Sequence, residues 1–233
     1  MPSRVLIKIC GTTSVGDAQL AARAGADYLG VIVEHAPSPR SVSLENARAI
    51  FAATELPVAA VTVNRDREFL LRIQRELQPA ALQLHGDESP SLVRELVASG
   101  ATIWAACENR ARATEMRDAG ASAILIDARQ KQNDEVIYGG TGARSDWNLA
   151  RELVQSGLAQ SRPGESQIGE SRARVILAGG LNPESVGAAI EFVNPWMVDV
   201  VSGVEKKKGE KDAAKLNDFI AAARGTNEKS TPE

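Results

Sequence analysis

The stretch LIKICGTTS at residues 6–14 sets a lysine and a cysteine two positions apart, at the end of an apolar run that breaks at a glycine. Alternation along an extended strand assigns Leu6, Lys8 and Cys10 to one face and Val5, Ile7 and Ile9 to the other. A cation beside a thiol favours the thiolate, so Lys8 is expected to lower the pKa of Cys10 and to make it a base or nucleophile near neutral pH. A lone cysteine is as often a small buried hydrophobe, and the pair by itself does not choose between the two. The second cysteine, Cys107, has no charged neighbour in its run and reads as structural.

A carboxylic acid ends another apolar run, AILID at 123–127, where parity with Ala123 and Leu125 turns Asp127 to the same side. A carboxyl in such a place has a raised pKa and suits general acid work, although an aspartate there serves equally well as a helix N-cap. Two later runs end in glycine, AGGLNPES at 178–185 and SGVE at 202–205. Backbone N–H groups exposed there, at helix N-termini, bind phosphate well, and plain turn chemistry uses glycine in the same way. Arg40, in the proline-stiffened APSPRSVS at 36–43, offers a planar fork that matches a carboxylate.

These groups need a scaffold that brings strand ends together. Eight short runs rich in Val, Ile and Leu recur along the 233 residues, with stretches of helical spacing between them. Ser14 before Asp17, Ser89 before Pro90 and Asn182 before Pro183 read as helix starts, with proline at the first helical position in the last two. Eight strand and helix units predict an α/β fold, a single-domain (β/α)8 TIM barrel with eight parallel strands, whose reactive groups come from the C-terminal strand ends. An open doubly wound sheet shares the alternation, but the first run is not followed by G-x-G-x-x-G. The catalytic barrel is expected over 1–224, with a flexible polar insertion at about 156–174, an extra loop after Asp127 and a disordered tail at 225–233.

Composition narrows the function. Lys plus Arg number 27 against 30 Asp plus Glu, with no basic block suited to a phosphate backbone, so no nucleic acid partner is expected. No apolar run has the length of a membrane span and the first residues do not form a signal peptide, so no membrane partner and a cytoplasmic location are expected. Two cysteines and two histidines provide neither a disulfide framework nor a zinc cluster, and no metal site is expected. Ordinary amphipathic helices leave the oligomeric state open.

Taken in order, KICG (8–11), SPRSV (38–42), LQLHGDE (82–88), ID (126–127) followed by YGGTG (138–142), DW (146–147), LAGGLNPESV (177–186) and SGVEKKKGEKD (202–212) resemble phosphoribosylanthranilate isomerase. The resemblance implies an Amadori rearrangement in tryptophan biosynthesis, on a small phosphoribosyl substrate and with no cofactor or metal. It further implies that Cys10 is the general base and Asp127 the general acid, that Arg40 faces the anthranilate carboxylate, and that Gly142, Gly180, Leu181, Ser202 and Gly203 hold the ribose phosphate. Lys8, His85 and Asp199 complete the substrate-binding set, with Asp199 toward the anthranilate end. Thr62 and Ser145 stand where aromatics are usual in the family, from which a roomier pocket near the anthranilate ring is expected, and Val201 stands where a serine is usual. Two other readings stay open here: another phosphosugar barrel isomerase, such as one of histidine biosynthesis, and a non-catalytic phosphosugar-binding paralogue.

Overall fold

The computed structural model describes residues 4–127, 129–132, 135–138, 145–156, 159–160 and 173–228. Its centre is a ring of parallel strands: β1 (Leu6–Ile9), β2 (Tyr28–Val33), β3 (Val58–Thr62), β4 (Ala81–Leu84), β5 (Ile103–Cys107), β6 (Ala123–Ile126), β7 (Ala173–Leu177) and β8 (Met197–Val200). Each strand pairs with the next in chain order, and β8 closes on β1 with Leu6 opposite Met197 and Lys8 opposite Asp199. This is the expected closed (β/α)8 barrel. Helices α1 (Val15–Ala24), α2 (Leu44–Ala52), α3 (Arg67–Leu77), α4 (Pro90–Ala98), α5 (Arg110–Asp118), α6 (Trp147–Gln155), α7 (Val186–Val193) and α8 (Ala213–Glu228) follow the strands in turn.

The strands are covered on both faces, which is why they read as nearly continuous apolar runs. Ile7, Ile9, Leu29, Val31, Leu82 and Leu84 face outward and pack with Leu70, Ile73, Leu96 and Phe219 of the helices. A separate cluster fills the barrel, where Trp104, Met197, Leu125 and Ile176 meet small residues such as Ala59, Ala81 and Ala123. Tyr28, Trp104 and Trp196 close its lower part, with ring centroids 5.5 to 6.3 Å apart.

Helix starts follow the local chemistry. Ser14 accepts a hydrogen bond from the Asp17 N–H, and Ser89 caps α4 with Pro90 in its first turn. Asn182 and Pro183 do not start a helix. Asn182 and Ser185 bond each other's backbone N–H groups in a turn, and α7 begins three residues later than expected, at Val186.

Other expectations are revised. The loop after Asp127 contains an antiparallel hairpin, Arg129–Gln132 with Glu135–Tyr138. Within the polar stretch expected at 156–174, Ala159–Gln160 pairs in parallel with Ala173–Arg174, and residues 157–158 and 161–172 lie outside the described residues. Helix α8 continues through Glu228, past the boundary expected at 224. Thr62 pairs in register with Leu84 and shares parity with the outward-facing Val58 and Ala60, so it packs toward the helices and does not widen the pocket.

One glycine is dictated by the interior. A Cβ on Gly30 of β2 would lie 2.5 Å from Cys10 Sγ and 3.0 Å from Lys8 Cε, so both side chains of β1 occupy the space that Gly30 vacates. Gly30→Ala is expected to destabilise the fold by about 1–3 kcal/mol through overpacking. Urea unfolding should show a lower midpoint at an unchanged slope.

Candidate active site

Cys10, His85, Asp127, Gly179–Gly180 and Ser202–Gly203 all follow the C-terminal ends of barrel strands and so ring one mouth of the barrel. One side of this mouth is built on β1. Lys8 is 0% exposed inside the barrel, and its Nζ lies 2.8 Å from Asp199 Oδ1 on β8. The two form a buried ion pair. Cys10, 3% exposed, stands next above Lys8 on the same face.

The expected activation of the thiol is corrected. Burial pushes the Cys10 thiol above its ordinary pKa, and the Asp199 carboxylate pushes the same way. Lys8, Lys211 and the Gly11 N–H pull down without prevailing. Lys8 itself lies above the ordinary lysine value, because Asp199 and Cys10 together outweigh its desolvation. Lys8 and Asp199 were expected to touch substrate. Both are buried in the barrel beside Cys10, and their charges act on it.

Arg40 is buried, and its guanidinium is already engaged. Nε and Nη2 each donate at 2.8 Å to the two oxygens of Glu205, a bidentate pair with both side chains about 5% exposed or less. Burial draws Glu205 upward, but Arg40 and Lys211 win and hold it below the usual carboxylate range. Lys211, also buried, donates to the carbonyl of Cys10 at 2.6 Å and meets Glu205 at 3.4 Å. Burial lowers its pKa. The hairpin Glu205–Lys207 with Glu210–Lys211 thus ties the loop after β8 to Cys10 and to Arg40.

Another side of the mouth holds His85 and Asp127. His85 Nε2 is 3.2 Å from Asp127 Oδ2, and its Nδ1 is 3.0 Å from the Gln83 carboxamide nitrogen. Both ring nitrogens therefore meet side chains, and not the neighbouring backbone. Glu88 braces the preceding turns by accepting from the N–H groups of Asn64 and Gly86.

The glycine loops close the third part of the rim. Gly179 and Gly180 have φ of 81° and 65°, a left-handed backbone suited to glycine. A Cβ on Gly203 would lie 2.1 Å from the Leu181 carbonyl oxygen, so the loops after β7 and β8 press together with no room for a side chain. Ser145 is buried and its hydroxyl donates to the Ala178 carbonyl beside them. Gly142 lies outside the described residues.

The family model for N-(5'-phosphoribosyl)anthranilate isomerase matches residues 7–222. The chain belongs to this family. It is 39% identical to N-(5'-phosphoribosyl)anthranilate isomerase of Aquifex aeolicus, with 93% of this chain and 97% of the relative aligned. It is 41% identical to the enzyme of that name from Pseudomonas fluorescens Pf-5, over 98% and 99% of the two chains. Among solved structures, phosphoribosyl anthranilate isomerase from Thermotoga maritima superposes with a TM-score of 0.77 at 33% identity, covering 95% of this chain and 99% of that one. A phosphoribosyl anthranilate isomerase in complex with reduced 1-(o-carboxyphenylamino)-1-deoxyribulose 5-phosphate matches at 31% identity with a TM-score of 0.74, over the same shares.

Within this isomerase fold, four supporting residues escape sequence reasoning: Gln83, Glu88, Glu205 and Lys211. EKKKGEK lies within the family-like SGVEKKKGEKD, and its first and last residues are buried while Lys206, Lys207 and Lys208 are exposed. The available signal is Gly209, a turn glycine with φ of 82° that folds the run into a hairpin.

Two outcomes follow from these charges. Lys8→Met leaves Asp199 buried and unpaired and should destabilise the protein by about 3–5 kcal/mol, most of which Lys8→Met with Asp199→Leu recovers. Denaturant unfolding of both variants checks it. Because the Glu205 pKa is depressed on folding, its contribution is present above an unfolded value of about 4.3 and is lost as pH falls through the folded value. Glu205→Gln should therefore be less stable than wild type at neutral pH, and the two stability curves should converge in acid.

Proposed function

We infer that the chain isomerises N-(5'-phosphoribosyl)anthranilate to 1-(o-carboxyphenylamino)-1-deoxyribulose 5-phosphate, the tryptophan-biosynthetic step of its family, with Asp127 as general acid and Cys10 as general base. The observation that carries the reading is that a thiol after β1 and a carboxyl after β6 end their strands at the same mouth, in a chain that matches the family over 7–222.

Asp127 protonates the ribose ring oxygen. The C1–O bond breaks with its electron pair going to that oxygen, while the anthranilate nitrogen lone pair forms C1=N and leaves an iminium cation. Cys10, as its thiolate, then takes the C2 proton, the C2–H electrons form C1=C2, and the nitrogen is neutralised. The enolamine tautomerises to the ketone, with C1 gaining a proton. A thiol raised above its ordinary pKa in the free protein fits this order, because the iminium cation arrives beside it and favours the thiolate when the proton must move.

The substrate's two ends fit the remaining rim. Arg40, held through Nε and Nη2 by Glu205, would meet the anthranilate carboxylate with Nη1. Gly180, Leu181, Ser202 and Gly203 would receive the phosphate through backbone N–H groups, with Gly142 as a further proposed contact. Ser145 takes less room than an aromatic and Val201 brings no hydroxyl, so any widening of the pocket would come from Ser145. The barrel is proposed to work as one domain through the end of α8 at Glu228, in the cytoplasm, the compartment suited to free thiols.

The substrate is formed in situ from anthranilate and phosphoribosyl pyrophosphate, and its fluorescence loss is followed on adding protein. Wild type should consume it, whereas Cys10→Ser and Asp127→Asn should each lower kcat by about 10²–10⁴-fold. A folded wild type that leaves the fluorescence unchanged overturns the reading.

A further inference from the structure

Gln83 and His85 turn into the barrel from the same face of β4 and its end, and Asp127 follows β6 across from them. Gln83 is 1% exposed and His85 8%. Gln83 Nε2, His85 Nδ1, His85 Nε2 and Asp127 Oδ2 form one line of contacts, 3.0 Å and then 3.2 Å long. A carboxamide nitrogen donates and does not accept, so an imidazole nitrogen facing it must be the acceptor. The single proton of the neutral ring is then on Nε2, directed at the carboxylate.

We propose that Gln83 fixes His85 as the Nε2–H tautomer, and that His85 in turn donates to Asp127 a hydrogen bond that tightens as the acid gives up its proton. The inference rests on the isomerase reading for its catalytic half. The transferable proton rides on the other oxygen of Asp127 and passes to the ribose ring oxygen. His85 keeps its own proton throughout. Before transfer Nε2–H donates to a neutral carboxyl. After transfer it donates to a carboxylate, and a hydrogen bond to an ionised acceptor is shorter and roughly twice as strong. An interaction that strengthens as charge develops lowers the barrier, whereas one of constant strength does not. Gln83 and His85 are thus positioning residues for the acid.

This arrangement has a cost at the Gln83 oxygen. Among the described residues it is buried with no hydrogen-bond partner, so this orientation of the amide gives up a contact at Oε1 to keep the one at Nε2. The reversed amide would accept from Nδ1–H and turn a bare Nε2 toward Asp127, which would then have to hold its proton on the shared oxygen. The two arrangements make opposite statements about one nitrogen.

The chain has two histidines, His35 and His85, so imidazole ¹⁵N spectra of the full protein without substrate are readily assigned with a His35→Gln variant. The wild-type His85 spectrum should show a protonated Nε2 and a bare Nδ1. Gln83→Met should give mixed tautomers and lower kcat by about 10- to 100-fold, the size expected when one hydrogen bond to a charged group weakens, with KM little changed. Gln83→Glu, which accepts from Nδ1, should shift the proton to Nδ1 or charge the ring and reduce kcat further. A wild-type spectrum with Nδ1–H or an imidazolium overturns the proposal even if no variant folds. So does a folded Gln83→Met that keeps the Nε2–H tautomer or the wild-type kcat. An inactive wild type with the Nε2–H spectrum instead refutes the isomerase reading and leaves the tautomer assignment standing.

Discussion

An ammonium group with no solvent exposure, in the middle of a closed barrel, is the constraint on which the site depends. Desolvating Lys8 is affordable only beside a carboxylate, and the closing pair of strands supplies one at the register position opposite, Asp199. Its long side chain also needs volume, which Gly30 on the other neighbouring strand leaves open. Three interior positions on three adjacent strands are thereby fixed together, and Cys10 is set on top of them. The same arrangement decides the chemistry of the thiol. Asp199 neutralises the charge that would have activated it, and burial raises its pKa further.

The site therefore has two sides that differ electrically. Around Cys10 the charges come as Lys8 with Asp199, and Arg40 and Lys211 together with Glu205, so three cations share two carboxylates, and the attraction of Lys8 and Lys211 does not offset the burial of the thiol and the push of Asp199. On the other side, among the described residues, Asp127 meets the imidazole of His85, whose second ring nitrogen meets the Gln83 carboxamide. Separating a base that responds to an arriving cation from an acid held by a donor allows the two proton transfers to occur in order.

Much of the fold was legible because the barrel writes itself as repeated apolar runs, and strand parity alone brought Lys8 inward and Ile7 and Ile9 outward. The same parity turned Thr62 away from the pocket, although its family position had suggested otherwise. The strand-end positions were legible too, since a barrel gathers the residues that end its strands at one mouth. What could not be read was the company each residue keeps. Glu205 meets Arg40 across 165 residues, and Lys211 meets the Cys10 carbonyl across 201, through a hairpin that local sequence presents as a run of charge. Gln83 looked like one polar interruption in a strand until its distance to His85 was known.

The most direct measurement is a single-turnover fluorescence decay with substrate carrying deuterium at C2, compared with the protium substrate in wild type and in Cys10→Ser. If Cys10 takes the C2 proton, wild type decays several-fold more slowly with deuterium, and the variant loses the decay with either substrate. A folded Cys10→Ser that turns over at the wild-type rate, with the same isotope effect, would mean that another group removes the proton and would contradict the account.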